Sequence, residues 1–552
     1  MGLIAVSLDG RPVPAVPDAA GDFDGPVAAL RHLLEAVTGP TDPVDAPVAV
    51  VASTVAGTGA PGTARCAAVG LSPLSGRVAE TRAEGPYAAG LRAAGVTGIV
   101  LYGRASQPVT VVVSAGEVTL TPATALWGLE TGPATDRLLD LHGPAAAVAV
   151  IGPAGEHQVP YASIVTCRHH PLPRLGLGAV LGGKRVKAIV CVGDEQPPVA
   201  DPSGVRRIAA DYAAATQTNK LTGWQQGWPG FGVWAGEPGY APVANFTDTA
   251  HPGGVAVVPA ELARTAQLAP CPGCPTNCIK VYAGAALHQE ALAMLGPNLG
   301  VADPWPLLAR CEQLGIDPVS LGGALAAAGL SPASVPAAVE RIGAGHDSPV
   351  RAAIERVGGH DSAVPAAPVA VNDVAVPPFD PRVQPNLGLA YAVSPIGPRY
   401  DLVEHDLDFD PVDGLPESFG ELDRLGVRVP RPRGELDVWR TAQLMRLWSG
   451  LDALGICLFA ATPTRPLRLA QIEDLVQAIT GDRPDVLALG ARRLRLQHEV
   501  NRRLGHGAGR LPDLFFTEPV RAGRYAGAVL DRAGFTAALA ELRTELGLEE
   551  QT

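Results

Sequence analysis

Short apolar runs separated by glycine and proline fill the first 195 residues. Examples are VAVVAST, VTGIVLYG, AVAVIGPAG and VKAIVCVG. Runs of four to eight residues that are rich in β-branched side chains predict strands. Helices are predicted near Val27–Val37 and Tyr87–Ala94. The pattern therefore predicts a strand-rich N-terminal domain.

From about residue 200 the apolar residues recur at helical spacing instead. The spacing is visible in GVRRIAADYAAATQT, PWPLLARCEQLG, PVRAAIERVGG and LDVWRTAQLMRLWSGLDALG, and residues 331–385 look like a junction between two helical units. The predicted fold class is α+β, with a strand-rich domain over residues 1–198 and two mainly helical domains over residues 199–372 and 373–552.

The composition limits the kinds of binding partner that we expect. The 552 residues carry a formal net charge of −12 without a basic stripe, so neither nucleic acid nor an anionic membrane is an expected partner. We find no apolar run of about 18 residues that predicts a spanning helix. No Lys or Arg precedes the short apolar run at the start of the sequence, so we predict a cytoplasmic location.

Three of the 8 cysteines cluster in CPGCPTNCIK as Cys271, Cys274 and Cys278. Thiolates at this density suit zinc or an iron–sulfur cluster. A zinc site requires a fourth ligand at conventional spacing, and the nearest downstream candidates are His288 and Cys311. The spacing favours iron–sulfur and leaves zinc open.

Cys457 is our choice for the fourth thiolate. It follows Asp452, Gly455 and Ile456 in a D-x-x-G-I-C turn, where a glycine interrupts a helical pattern just before an apolar stretch. Cys191, within KAIVCVG, is instead predicted to be a small buried apolar residue.

A similar turn occurs earlier in the chain. CEQLGIDPVS contains Glu312, Gly315 and Asp317 as E-x-x-G-I-D. Two such turns suggest a ligand with two similar halves, each held by a carboxylate and a loop. Turns of this kind also end ordinary helices.

Taken together, these residues resemble the tungsten-dependent aldehyde:ferredoxin oxidoreductase family over nearly the whole chain. The resemblance rests on the order of GTARCAAVGLSPLSG, AGVTGIVLYGRASQPVTVVV, ALWGLETGPATDRLL, RLGLGAVLGGKRVKAIVCVG, the cysteine cluster, EALAMLGPNLG, VPPFDPRVQPNLGLAYAVSP and LDALGICLF. It implies a β-rich base domain covered by two helical domains, with the cofactors at their interface.

The resemblance also implies the cofactors. A tungsten or molybdenum atom held by two pterins would lie beside a [4Fe–4S] cluster, and a bridging Mg²⁺ is left open. The implied cluster ligands are Cys271, Cys274, Cys278 and Cys457. The implied cofactor-binding residues are Arg65, Arg174, Glu312, Gly315, Asp317, Asp452, Gly455 and Ile456.

The family reaction oxidises an aldehyde to a carboxylic acid and passes electrons through the cluster to ferredoxin or a similar acceptor. Glu290 matches an acidic residue near the metal, with a solvated helix face as the alternative. Tyr400 stands at the position of the family histidine. His405 is the candidate to replace that histidine, with an ordinary surface role as the alternative. A homo-oligomer is left open.

Further residues depart from the family pattern and, together with Tyr400, motivate other functions. Arg82 and Glu84 replace small residues of the loop that reaches the bridging magnesium, and His170 and Pro171 replace an Arg-Ala pair. One alternative is a low-potential reduction of an acid or an aryl thioester on the same architecture. Another is a non-catalytic iron–sulfur subunit that has lost the pterin.

Overall fold

The structure is a computed structural model of the 552-residue chain. It describes residues 2–14, 23, 25–219, 242–248, 266–286, 289–346, 368–409, 422, 425, 434–461 and 463–549. Two sequence expectations lie outside these described residues: the helical pattern at residues 349–359 and the alternative zinc ligand His288.

The described strands and helices are numbered in chain order. The strands are β1 (Leu3–Ser7), β2 (Val48–Ala52), β3 (Arg65–Leu71), β4 (Val78–Glu84), β5 (Gly98–Tyr102), β6 (Val109–Ser114), β7 (Glu117–Pro122), β8 (Ala147–Ile151), β9 (Ile164–Thr166), β10 (His170–Leu172), β11 (Val186–Val192), β12 (Gln267–Leu268), β13 (Lys280–Tyr282), β14 (Ala285–Ala286), β15 (Ala370–Val371) and β16 (Val374–Ala375). The helices are α1 (Gly25–Ala36), α2 (Tyr87–Ala93), α3 (Thr131–His142), α4 (Pro153–Glu156), α5 (Leu177–Gly183), α6 (Pro202–Thr216), α7 (Gln289–Leu295), α8 (Trp305–Leu314), α9 (Pro318–Ala327), α10 (Val335–Gly343), α11 (Pro385–Val393), α12 (Val438–Ala453), α13 (Leu469–Thr480), α14 (Val486–Arg503), α15 (Leu514–Thr517) and α16 (Arg532–Leu546). Short 3-10 helices lie at Pro297–Leu299, Pro332–Ser334, Tyr400–Leu402, Asp406–Phe409 and Gly523–Tyr525.

The first sheet has five strands in the order β1-β5-β2-β3-β4. β1 and β5 run parallel and the other neighbours are antiparallel, with Ala49 of β2 opposite Val69 of β3. Every residue of β2 and β3 is buried. Both strands contact α1 and α5, which explains why their sequences are continuous apolar runs rather than alternating ones.

The second sheet has six strands in the order β10-β9-β8-β11-β6-β7. β6 and β7 form a hairpin whose two turn residues, Ala115 and Gly116, have φ of 49° and 75°. Positive φ at both turn positions matches the twist of paired strands. Helix α2 contacts both β2 and β11, so it lies between the two sheets.

The predicted α+β class is confirmed, because two sheets fill the N-terminal part and helices dominate the rest of the described chain. The helix expected at Tyr87–Ala94 spans Tyr87–Ala93. The apolar pattern misses α3 and α5. The α5 sequence LGAVLGG is rich in glycine, and a Cβ atom at Gly182 would lie 1.8 Å from the carbonyl oxygen of Gly155. Helix α5 is therefore stabilised by close packing rather than by the helix propensity of its residues.

The C-terminal helices are anchored by one close helix pair. A Cβ atom at Gly490 of α14 would lie 1.8 Å from the carbonyl oxygen of Arg446, and one at Gly450 of α12 would lie 2.1 Å from the carbonyl oxygen of Val486. Helix α14 also contacts α1 and β4, so it joins the C-terminal helices to the first sheet. In the described part of the chain, no helix combines the length and apolarity needed to cross a membrane.

Gly490→Ala should destabilise the protein by about 2 kcal/mol, because the added methyl group meets rigid backbone and forces α12 and α14 apart. Gly39→Ala is the matched control, since a Cβ atom there meets nothing within 4 Å. Urea denaturation followed by circular dichroism measures both variants. Equal stability of the two variants would contradict the close-contact account.

Candidate functional site

Four cysteines line one small cavity. Cys271, Cys274 and Cys278 lie in the loop between β12 and β13, and Cys457 lies shortly after α12. All four are free and together line a cavity of about 50 Å³. The remaining lining residues are Gly62, Ala64, Glu84, Thr276, Ile279, Phe459 and Ala460. The structure thus brings together the four thiols that the sequence singles out.

Both cysteine segments rest on the loop at residues 57–62, between β2 and β3. Gly273 has φ of 72°, and a Cβ atom there would lie 2.2 Å from the carbonyl oxygen of Gly59. The amide of Cys457 donates to the carbonyl oxygen of Gly62 at 2.8 Å. Only glycine tolerates this combination of positive φ and backbone contact at position 273. The 57–62 loop therefore fixes the two segments relative to each other.

Burial makes these thiols weak acids. It raises the pKa of Cys278 to about 12 and also raises the pKa of Cys271 and Cys457. The backbone of Gly85 partly opposes the rise in the pKa of Cys271. Buried thiols of this kind lose their protons when a metal compensates the charge. Among the described residues, no three His, Cys, Asp or Glu side chains converge as a site for one metal ion.

A second cavity, of about 180 Å³, adjoins the thiol cavity. Its polar lining residues are Arg65, Arg82, Glu84, Ser163, His169, His170, Arg174, Glu290, Glu312, Arg399, Tyr400 and Asp401. Glu84, Cys278, Ile279 and Phe459 line both cavities, and we name them the shared wall. An enclosed space with converging titratable groups is the default candidate for a binding or catalytic site.

Glu290 is the carboxyl group of the larger cavity whose pKa is raised. It lies in the first turn of α7 and is 5% exposed, so it does not belong to a solvated helix face. Burial raises its pKa to about 8, and the nearby charges of Arg174 and Arg399 only partly oppose that effect. The carboxyl group therefore holds a proton at pH 7.

Tyr400 lines the larger cavity, whereas His405 is not among its lining residues. The Nε2 atom of His405 lies 3.1 Å from the carbonyl oxygen of Tyr400, and its ring centroid lies 4.7 Å from that of Phe379. Burial raises the pKa of Tyr400 well above its ordinary value and lowers the pKa of His405. Tyr400 thus forms part of the cavity wall, whereas His405 contacts the backbone of Tyr400 outside the cavity lining.

The two acid-x-x-Gly-Ile turns have the same backbone geometry. Gly315 and Gly455 adopt φ of 71° and 65° after the ends of α8 and α12. The amides of Ile316 and Ile456 each donate to the carbonyl oxygen five residues earlier, both at 2.8 Å. This is the Schellman arrangement of helix C-termini, in which the residue with positive φ is usually glycine.

The residue after each isoleucine contacts the N-terminal part of the chain. The amide of Asp317 donates to the carbonyl oxygen of Tyr161 at 3.0 Å, and the amide of Cys457 donates to that of Gly62 at 2.8 Å. The two helical segments therefore approach the sheets through equivalent backbone bonds. The similarity of the two sequence motifs therefore reflects two helix C-terminal turns of the same geometry, each of which contacts the N-terminal part of the chain.

Glu312, of the first acid-x-x-Gly-Ile turn, lines the larger cavity. One Glu312 oxygen lies 2.5 Å from the Nδ1 atom of His169, and the other accepts from the amide of Ala286 at 3.0 Å. Arg174 also lines this cavity, and its guanidinium lies 3.8 Å from the Asp317 carboxylate. Four other predicted cofactor-binding residues do not line the larger cavity: Gly315, Asp317, Gly455 and Ile456.

The space next to Asp452 is occupied by other side chains of the protein. Asp452 borders a crevice of only about 10 Å³ together with Arg82 and Arg493. Its carboxylate lies 2.6 Å from Arg65 and 3.4 Å from Arg493, and it also pairs with Arg82. Arg493 in turn binds the fully buried Glu80. This group, the Asp452 cluster (Arg65, Glu80, Arg82, Asp452 and Arg493), joins β3 and β4 to α12 and α14.

Sequence reasoning misses several charged residues of the site. Arg399 and Asp401 flank Tyr400 and pair with each other at 2.9 Å. Opposite charges on either side of a tyrosine in the apolar segment SPIGPRYDLV are a signal that could have identified them. Arg493 lies among several arginines of α14, and nothing in the local pattern distinguishes it.

Several buried donors at the larger cavity make no hydrogen bond to the described part of the chain. They are Nη1 of Arg174, Nη1 of Arg399, Nε of Arg82 and the Oγ of Ser163. Buried N–H groups without acceptors are unfavourable unless a ligand satisfies them. Guanidinium donors in this number fit a ligand that carries anionic oxygens.

Comparison with known proteins gives the family. The profile of the aldehyde ferredoxin oxidoreductase N-terminal domain matches residues 17–193. The profile of aldehyde ferredoxin oxidoreductase domains 2 and 3 matches residues 192–329 and 337–552. The two profiles together match far more than half of the chain.

Curated relatives match over a smaller span. The tungsten-containing aldehyde ferredoxin oxidoreductase of Pyrococcus furiosus is 30% identical over 323 residues, which are 54% of this chain and 52% of that protein. The corresponding protein of Thermococcus kodakarensis is 29% identical over 324 residues, with the same coverage of 54% and 52%. The WOR-like subunit of an aliphatic sulfonate oxidoreductase of Pyrococcus furiosus is 27% identical over 290 residues, 47% of this chain and 46% of that subunit. The chain spans about half the length of these relatives.

A solved structure shows the same fold over the whole chain. It is the active-site complex BamBC of benzoyl coenzyme A reductase with 1,5-dienoyl-CoA, with a TM-score of 0.76, 18% identity, and coverage of 99% of this chain and 94% of that one. The fold, the profiles and the relatives agree with the sequence resemblance: the chain belongs to the aldehyde ferredoxin oxidoreductase family.

Proposed function

We propose that the protein is a tungsten- or molybdenum-pterin oxidoreductase that oxidises an aldehyde to a carboxylic acid. In the overall reaction an aldehyde and water yield the acid, two protons and two electrons, and the electrons leave through a [4Fe–4S] cluster to ferredoxin or a similar acceptor. The observation that carries the proposal is the shared wall, since it joins a cavity lined by four thiols to one lined by acids and bases.

Cys271, Cys274, Cys278 and Cys457 are the proposed cluster ligands. The four thiols line one cavity of about 50 Å³. Four thiolates around one space suit a [4Fe–4S] cluster, in which cysteine sulfurs hold the iron atoms. Of the alternative zinc ligands, Cys311 is fully buried and outside the thiol cavity, which also supports the cluster.

The larger cavity supplies contacts for the pterin cofactor. The unsatisfied donors of Arg82, Arg174 and Arg399 suit its phosphate oxygens, and the carboxylate of Glu312 suits pterin N–H groups. Asp452 lies outside this cavity and would contact a pterin once its arginine partners move. The bound metal centre would supply the redox chemistry of the carbonyl carbon. Tungsten and molybdenum are equally compatible, because the pterin sulfurs rather than protein atoms hold the metal.

Glu290 and Tyr400 are the proposed acid–base and orienting groups. Glu290 is protonated at pH 7 and can donate a hydrogen bond to a substrate oxygen or exchange a proton with it. Tyr400 keeps its proton over the physiological range and acts as a donor. His405 has no surface on the cavity, so the proposal gives it a supporting role only.

A low-potential reduction of an acid or an aryl thioester is the second candidate. Two protonated groups facing one cavity favour proton delivery to a substrate, as a reduction requires. The fold shared with a complex that belongs to benzoyl coenzyme A reductase is compatible with it. A panel of aldehydes, acids and thioesters assayed with a viologen dye distinguishes the candidates: dye reduction by simple aldehydes supports the first, and dye oxidation by acids or thioesters supports the second.

Metal and pterin analysis of the purified protein tests the proposal directly. We expect about four iron atoms, tungsten or molybdenum, and fluorescent pterin oxidation products when both metals are supplied during expression. Iron without pterin would indicate an iron–sulfur subunit that has lost the pterin. Absence of both iron and pterin would overturn the proposal.

Cys457→Ser should lower the iron content, because it removes one of the four proposed ligands. Cys191→Ser is the matched control, since Cys191 is buried in β11 away from the thiol cavity. Iron content and visible absorbance measure both variants after anaerobic purification. If both retain the iron of the parent protein, Cys457 is not a ligand.

Glu290→Gln should flatten the pH dependence of stability. The folded-state pKa of about 8 exceeds the ordinary value of 4.5, so the folded protein binds the extra proton between these values. The free energy of unfolding therefore falls as pH rises through this window, by up to about 1.4 kcal/mol per pH unit, and the variant lacks this contribution. Urea denaturation from pH 5 to pH 8 measures the difference between parent and variant.

Glu541→Gln, on an exposed position of α16, is the control and should keep the slope of the parent protein. A Glu290→Gln slope equal to that of the parent would show that Glu290 titrates normally.

A further inference from the structure

Glu84 occupies the boundary between the two cavities. It is the last residue of β4, and it belongs to the shared wall. Its Oε1 atom accepts from the Nε atom of Arg65 at 2.7 Å. About 21% of the side chain is exposed, and it lines both cavities. No other carboxylate among the described residues lines the thiol cavity.

Glu84 lies beside the proposed cluster ligands. It lines the thiol cavity together with Cys271, Cys274, Cys278 and Cys457. A carboxylate at the wall of this cavity makes any added negative charge inside it less favourable.

The carboxyl group of Glu84 is ionised. Burial raises its pKa, but the charge of Arg65 and the hydrogen bond from it outweigh burial and lower the pKa below its ordinary value. Because most of the Glu84 side chain is shielded from solvent, its charge is screened less than at the surface. Glu84 is thus a fixed negative charge in the shared wall.

We infer that Glu84 lowers the reduction potential of the iron–sulfur cluster and thereby directs electrons outward to a low-potential acceptor. The inference rests on the proposed function, since it requires the cluster. Reduction adds one electron, and hence one negative charge, to the cluster. A neighbouring carboxylate makes that addition less favourable, and charge close to a cluster is among the factors that set its potential.

Two cations near the thiols act in the opposite direction. Arg65 interacts with the Cys457 thiol, and Lys280 interacts with Cys278. Arg65 also pairs with Asp452, so its charge is divided between two carboxylates. Neutralising Glu84 therefore removes an anion and leaves Arg65 less compensated. Both effects raise the potential.

A redox titration followed by electron paramagnetic resonance of the reduced cluster tests the inference on the full-length protein with its cofactors. Glu84→Gln and Glu84→Gly should each raise the midpoint potential of the cluster. Glu84→Asp keeps the charge and should stay close to the parent value. Asp401→Asn is the matched control, because Asp401 is an ionised carboxylate of the larger cavity, paired with Arg399 at 2.9 Å, that does not line the thiol cavity.

The outcomes separate this inference from the proposed function. Unchanged potentials in both neutral variants, with full iron content, overturn the inference and leave the function intact. Loss of iron in both neutral variants but not in Glu84→Asp assigns Glu84 to cluster retention instead and also overturns it. An equal rise in Asp401→Asn would show that any negative charge of the larger cavity acts in this way and would overturn the specific role of Glu84. Absence of iron from the parent protein overturns the proposed function itself.

Discussion

The site depends on two chain segments approaching one loop at backbone distance. The cysteine loop reaches the 57–62 loop through Gly273, which leaves no room for a side chain, and Cys457 reaches it through an amide bond to Gly62. Nearly 180 residues of sequence separate these segments. Neither contact involves a sulfur atom, so the polypeptide itself assembles the thiol cavity. The shared wall and the larger cavity follow from that assembly, because Cys278 belongs to both cavities.

A network of buried charges also fixes α12 and α14 on the first sheet. Asp452 receives three guanidinium groups, and Glu80 receives one of them. Buried ion pairs of this type contribute little net stability compared with apolar residues, but breaking one leaves an uncompensated charge. The network therefore restricts how α12 and α14 can be placed on the first sheet. Through Arg65 it also connects Asp452 with Glu84, so the crevice at Asp452 is electrostatically linked to the thiol cavity.

Features encoded by local spacing could be predicted from the sequence, such as the fold class, the cysteine loop and the paired turns. Features that depend on distant packing could not. Arg493 joins the site because α14 lies across β4, and no local pattern reports that contact. His405 follows Tyr400 by five residues, but the intervening 3-10 helix at Tyr400–Leu402 turns the chain and leaves it behind the cavity. The glycine-rich α5 escapes prediction because its packing overrides its weak helix propensity.

One Schellman turn carries both Asp452 and Cys457, with Gly455 at φ of 65° between them. Under the proposed function, the first residue contacts the pterin and the second contacts the cluster. The two redox centres then share a single short, hydrogen-bonded stretch of backbone, so they move together when the helix shifts. Electron tunnelling decays steeply with the separation of donor and acceptor. A stiff turn that holds both centres keeps this separation constant while the surrounding domains fluctuate.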